Sequence, residues 1–444
     1  MRQKLQIQLK LSGPWPDHPF SRELSVMAAI LETNSVIAEL AWQDLIVGRS
    51  ADTGAPGMAA MTVVKAAVLQ KVLGISYERL AFHLVDSASC RLFLGLGPFD
   101  TAPSASTLQD NISRLGAHTW ESINRVLIKW AQKTGIENGR KMRFDSTAVQ
   151  AHIHHPTDSS LLGDLVRVIC RSIKKAGLPK SMACRDRRRV TKKLVLGILN
   201  AKKAKQRKSL YRRLMRHCQE LYQEVLDIVI HLDDRWQELK ADLAHWLDLL
   251  QRVIEQTRQR VILGRILPPD QKIVSIFETH TDILVKDRRD TVFGHKICLA
   301  GGASCLITDC TIEQGNPPDT RLAPKMIVRH GDIYGQVPRQ AALDGGFASK
   351  VNLLTIKGYG VKDVCFHKKR GLQIGDMVKS SWVFRQLKNF RAGIEGCISA
   401  LKRGFGLDRC NWRGQKGFHA YVWTSIIAYN LAVLARHSID RALF

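Results

Sequence analysis

Residues 159–269 read as one long helical block, and strand-like sequence stands on both sides of it. Before the block, Lys141-Met-Arg-Phe-Asp-Ser-Thr-Ala-Val149 alternates, with Met142, Phe144, Ser146 and Ala148 on one face and Arg143, Asp145, Thr147 and Val149 on the other. Alternation resumes after Pro268-Pro269. Val292–Leu299 and Cys305–Ile312 read as adjacent strands joined by Gly301-Gly302, and Gln340–Asp344 and Asp363–Phe366 read as short later strands. A sheet that begins before a helical block and continues after it requires one mixed α/β core with the block inserted in it.

The inserted block has two unlike halves. From Arg167 to Arg216, nineteen Lys and Arg stand against one acid, Asp186, and this stretch holds most of the chain's formal net charge of +27. A field of that size implies a polyanionic partner, with nucleic acid foremost. In the second half, Gln219–Gln259, nine acids outnumber four bases. There Leu221, Val225, Ile228, Leu232, Leu239, Leu243, Trp246, Leu250 and Val253 recur at helical steps, which predicts an arm of paired amphipathic helices.

Residues 21–135 read as helices. Met58–Leu73, a break at Gly74-Ile-Ser76 and a restart at Tyr77 have helix-turn-helix spacing, and Ser106-Thr-Leu-Gln109 has the capping-box pattern. Ser349–Lys357, Ser380–Lys402 and Phe418–Arg436 are further helices. The expected organisation is a helical amino-terminal domain over 1–140 with a DNA-binding role, a first core segment over 141–158, the arm over 159–269, and the rest of the core over 270–444. Ten cysteines are scattered singly without a C-x-x-C pair, so neither a zinc ribbon nor a disulfide framework is indicated and reduced, buried thiols are expected. Met1-Arg-Gln-Lys-Leu-Gln-Ile-Gln8 lacks the apolar run of an export signal, and Tyr421–Ala435 is too short and polar to span a membrane. A cytoplasmic protein with a buried carboxy-terminal helix is expected.

Three acids stand in unlike contexts. Asp145 lies in a strand, Asp344 closes one before Gly345-Gly346, and Glu395 lies on a helix. Carboxylates gathered from such places repel one another unless divalent cations neutralise them, as in two-metal phosphoryl-transfer sites. Arg391, Glu395, Ile398 and Lys402 share a helix face, while Gly393 and Gly396 bracket the acid, each at a helix cost of roughly 1 kcal/mol. Something must approach that backbone closely, either a neighbouring strand or a DNA phosphate.

The order Asp145, Asp344, Glu395, with Arg391-x3-Glu395-x6-Lys402, resembles the DDE transposases of bacterial insertion sequences, in the group that resolves ends through DNA hairpins. That group has a Tyr three residues before the Arg, where this chain has Lys388. Asp145-Ser-Thr147, Phe293-Gly-His-Lys296, Gly315-Asn-Pro-Pro-Asp319, Asp344-Gly-Gly-Phe347 and the Asn430-Leu helix extend the likeness. The resemblance implies an RNase H-like core with Asp145 on the first strand, Asp344 after the fourth, Glu395 on a later helix, and the arm between the first and second strands. It implies two Mg²⁺ or Mn²⁺ ions on the three acids. By the same likeness Arg391 and Lys402 hold DNA, and Lys388, on the same helix, is a further candidate contact although it departs from the family's Tyr. His295 and Lys296 in a strand and Asn316 and Asp319 in a turn are candidates to line the same cleft, with a structural role as the alternative.

From their charge, Arg187, Arg188, Arg189, Lys192, Lys193, Lys202 and Lys203 are the arm's expected phosphate contacts. The partners implied are double-stranded DNA, as terminal inverted repeats and target, and a second copy on paired ends, in a nucleoid-associated bacterial protein. A catalytically inactive DNA-binding derivative and a related metal-dependent nuclease remain alternatives. His152, His154, His155 and Asp158 are read as a DNA-proximal turn or helix entry, with a metal site as the lesser reading.

Overall fold

The computed structural model describes residues 3–5, 13–48, 57–179, 182, 184–286 and 290–441. Most of the amino-terminal stretch read against an export signal lies outside these residues. One compact unit comprises Met1–Ala151 and Gly294–Phe444, and the second comprises His152–Phe293.

The first unit opens with helices α1 (Pro19–Thr33), α2 (Val36–Leu45), α3 (Ala60–Leu73), α4 (Tyr77–Asp86), α5 (Ala88–Leu94), α6 (Ala105–Ile112) and α7 (Ala117–Lys133). Gly74 ends α3 in the left-handed region at φ 63°, the Ser76 side chain caps α4, and the pair bends by 102°. The capping motif expected at Ser106 lies two residues earlier. Ser104 follows Pro103 in extended conformation and accepts from the Thr107 amide, which leaves Ser106 inside the helix.

Strand β1 (Lys141–Gln150) starts the sheet. The second unit follows, with α8 (Asp158–Ala176), α9 (Arg188–Asn200), α10 (Ala204–His231), α11 (Gln237–Thr257) and a strand that the sequence reading did not identify, β2 (Asp282–Lys286). Its core is an apolar cluster that includes Leu165, Ile169, Leu214, Leu221, Val225, Leu243 and Leu250. The change from basic to acidic sequence falls within α10, so the two charge halves are not two separate helices.

The sheet then continues through β3 (Asp290–Gly301) and β4 (Ile307–Ile312). After α12 (Asp319–Tyr334) come β5 (Gln340–Leu343), α13 (Lys350–Gly358), β6 (Asp363–Phe366), α14 (Ile374–Met377), α15 (Ser381–Gly404) and α16 (Gly414–Asp440). The strand order is β2-β3-β1-β5-β6, with β4 also on β3. β3 runs antiparallel to β1 and β4, whereas β5 and β6 run parallel to β1. An antiparallel group joined through the first strand to a parallel pair is the RNase H-like arrangement. The extra strand β2 makes the one before Asp344 the fifth in chain order rather than the fourth.

Both faces of the sheet are covered, and so the alternation along β1 does not separate core from solvent. Phe144, Ala300, Leu343 and Val364 pack with α12, α13 and α15 in one cluster, while Val149, Leu299 and Ile307 join a second that contains α1–α7 and α16. Helix α16 is long and apolar enough to cross a membrane, but 89% of its apolar window is buried inside the protein. Its polar residues serve packing. The Asn430 amide accepts from Ile307 N at 2.9 Å, donates to Ile307 O at 2.8 Å and donates to Asn124 Oδ1 at 2.8 Å, tying α16 to the end of β4 and to α7.

Candidate active site

Parallel pairing explains why two of the acids meet. Phe144 on β1 is in register with Leu343 on β5, and β5 ends there. β1 runs on beside β3, with Asp145 opposite Leu299. Asp145 and Asp344 each stand one residue past the last paired position, at the parallel strands' carboxyl ends, where open α/β sheets form their crevice.

Helix α15 packs on β1 and β5 and brings the third acid. Arg143, buried on β1, fixes it there: its Nη1 donates to the Phe390 carbonyl at 2.8 Å, and its guanidinium fills the space a Cβ would need at Gly393. The close approach expected at Gly393 is thus made by a strand side chain. At Gly396 a Cβ would meet nothing within 4 Å.

The three acids converge on one guanidinium. Arg391 Nη2 lies 3.5 Å from Asp145 Oδ2, 3.2 Å from Asp344 Oδ1 and 2.7 Å from Glu395 Oε1. Any two of these oxygens are therefore within about 7 Å of each other, a span that two cations roughly 4 Å apart bridge. Burial pushes the Asp145 carboxyl up to about 6; Asp344 and Asp319 act the same way, whereas the Ser146 amide and Arg391 pull it down. Among the described residues no group of three or more His, Cys, Asp or Glu is already arranged to hold a metal ion. Arg391 stands among the carboxylates and supplies the positive charge there. The donor set itself, three carboxylates, suits Mg²⁺ or Mn²⁺, which take hard oxygen ligands.

Residues 16–114 match the family described as transposase domain (DUF772), and residues 280–431 match the transposase DDE domain. The chain belongs to the DDE transposases of insertion sequences. No match was found among curated proteins or among solved structures. The DDE match includes Asp344 and Glu395, while Asp145 lies before the arm and joins them through the β1–β5 pairing. Transposase function implies DNA as partner.

Around this candidate site of the transposase, Asp319 accepts from Ser146 Oγ at 2.8 Å and pairs with Lys296 Nζ at 2.7 Å. A Cβ at Gly346 would lie 2.5 Å from Asp319 Oδ2, so Asp319 touches both the residue after Asp145 and the turn after Asp344. Lys402 Nζ donates to the Ala148 carbonyl at 2.9 Å and lies 3.8 Å from Asp408, beside β1 rather than among the acids. Lys388 is exposed on α15 and Asn316 is exposed before α12. His295 is no cleft residue. It is buried, with its ring edge-on to Phe418 at 4.7 Å, because neighbouring residues on β3 face opposite sides and Lys296 takes the site side.

In the second unit Arg189, Lys192, Lys193, Lys202 and Lys203 are exposed. Arg188 is half-buried and forks onto Asp186, and with Arg167, Arg171, Arg189 and Lys192 it lines an open cleft of about 610 Å³. Arg187 departs from the expected phosphate contacts: its side chain is 7% exposed and pairs with Glu220 at 2.6 Å and Glu224 at 2.5 Å on α10. It holds α9 to α10. His154 lies 3.6 Å from Asp164, His155 packs edge-on to Phe293, and Asp158 is buried against Arg260 and Gln256. That cluster is a helix entry, with Thr157 forming a capping box to Ser160.

Arg143 and its contact with Gly393, which seat α15 on β1, are the positioning feature missed in the sequence. A charged residue beside an acid in a strand, together with an unexplained helix glycine, was the available signal.

Proposed function

We propose that this transposase cuts and rejoins the ends of an insertion sequence by metal-dependent phosphoryl transfer at Asp145, Asp344 and Glu395. The observation that carries this reading is the convergence of the three carboxylates on Arg391. The three acids would hold two Mg²⁺ or Mn²⁺ ions, which when bound activate the attacking oxygen and stabilise the leaving one. Arg391 balances the carboxylates in their absence, and its five donors suit it to a bridging DNA phosphate once that role is relieved. Lys402 and Lys388 extend a positive strip along α15 for the same strand. Lys296 pairs with Asp319 and holds it where it accepts from Ser146 Oγ, which steadies Asp145.

The exposed bases of the second unit would bind phosphates of the flanking duplex, without reading bases. Terminal inverted repeats as substrate, a homodimer on paired ends and action in the bacterial cytoplasm belong to the same reading. Asp145→Asn and Glu395→Gln variants should still shift a DNA fragment carrying the element's end in gel retardation, yet fail to cut it in Mg²⁺. Cleavage at wild-type rates by either variant would exclude this site.

A further inference from the structure

Cys305 departs from the expectation of buried, inert cysteines. It is exposed in the turn between β3 and β4, and its backbone is left-handed at φ 66°. Arg143 Nη2 lies 3.4 Å from its sulfur and 4.0 Å from that of Cys397, which is buried on α15. The Cys397 thiol also donates to the Cys305 carbonyl at 3.5 Å. The turn is anchored from α16, where the Tyr429 hydroxyl donates to the Cys305 carbonyl at 3.0 Å and His437 meets the Ser304 carbonyl at 3.0 Å. One guanidinium therefore serves two neighbouring sulfurs, one open to solvent and one sheltered behind it.

We propose that Cys305 and Cys397 form a redox-active dithiol that reacts with hydroperoxides. The Arg143 guanidinium, 3.4 Å from its sulfur, stabilises Cys305 as the thiolate, the nucleophilic form. Its sulfur attacks a peroxide oxygen and the O–O bond breaks. The sulfur keeps one oxygen as a sulfenic acid, and the other departs as alcohol or water after protonation. The Cys397 sulfur then attacks the sulfenic sulfur, and the S–O oxygen leaves as water with the Cys397 proton. Two electrons pass from the thiols to the peroxide. The resulting disulfide ties the β3–β4 turn to α15 two residues beyond Glu395.

Cys184 gives an internal contrast. It is half-buried, and Cys170, burial and the Glu224 carboxylate, which accepts from its thiol at 3.4 Å, all favour retention of its proton.

The test uses the full reduced chain, free of DNA and metal, with limiting iodoacetamide and peptide mass mapping. Cys305 should alkylate at least about ten-fold faster than Cys184 at a pH near 6.5. Hydrogen peroxide should then produce a Cys305–Cys397 disulfide in the wild type, seen in a non-reducing map. In Cys397→Ser it should leave a sulfenic acid at Cys305, trapped by a cyclic dione. Equal alkylation rates, a Cys305 that stays reduced in peroxide, or its pairing with another cysteine would overturn the proposal, and the wild-type maps decide it even if the variant does not fold.

Discussion

The guanidinium of Arg143 occupies the place where a Cβ at Gly393 would stand, and it donates from that position to the Phe390 carbonyl at 2.8 Å. Helix α15, with Arg391 and Glu395, is therefore seated on β1 by a contact that only glycine permits. Gly393→Ala should destabilise the protein by about 1 to 3 kcal/mol, the usual cost of overpacking. Gly396→Ala meets no neighbour and should raise stability by up to about 1 kcal/mol through helix propensity. Urea unfolding of the two variants separates these outcomes, and equal effects would mean that Arg143 yields.

Arg391 is expected to substitute for metal charge in the free protein. Without it Asp145, Asp344 and Glu395 face one another unneutralised. Arg391→Ala should lower stability by roughly 1 to 3 kcal/mol without divalent cations, less than for a fully buried pair because Glu395 is 56% exposed. Added Mg²⁺ should recover more of the melting temperature in this variant than in the wild type. A variant indifferent to Mg²⁺ would count against metal binding at the triad. Arg391→Lys should restore only part of the cleavage rate, since a point charge lacks the fork.

The raised Asp145 carboxyl, at about 6 against the ordinary 3.8, gives stability a definite pH dependence in the metal-free protein. The folded state holds this proton more tightly than the unfolded chain. The group's contribution is thus fully favourable below the unfolded value and is lost as pH rises from about 4 to about 6, on the order of 1 to 3 kcal/mol. The stability difference between wild type and Asp145→Asn, followed from acid to neutral pH, should move against the wild type over that window. A constant difference would show that Asp145 titrates normally.

Two arginines near one another in sequence should behave in opposite ways. Arg187→Ala strips the partner from Glu220 and Glu224 and should destabilise the second unit. Replacing exposed Arg189, Lys192 and Lys193 by Gln should leave folding intact and flatten the slope of log K against log salt for DNA binding by about 2 to 3, near 0.9 per phosphate contact. An unchanged slope would assign that charge to another role.

Much of the fold was legible because it rests on periodicity and local chemistry. β6 (Asp363–Phe366), the β3 and β4 pair and the long helices α15 and α16 follow from alternation, helical spacing and turn glycines, and the mixed core with its inserted helices follows from their order. The three acids were legible as candidates too, since their local settings and the Arg391-x3-Glu395-x6-Lys402 spacing are written in nearby residues. Periodicity alone could not say which face of β1 is covered, because α12, α13 and α15 shield one side and α7 and α16 the other. Charge alone likewise could not tell Arg187, buried between glutamates a helix away, from its exposed neighbour Arg189. The meeting of Asp145 with Asp344 depends on parallel pairing across almost two hundred residues, the seat of Glu395 on Arg143 entering the gap at Gly393, and the pairing of Cys305 with Cys397 on the same guanidinium. Each is a contact between residues far apart in the chain, and only the packed tertiary structure brings such residues within reach.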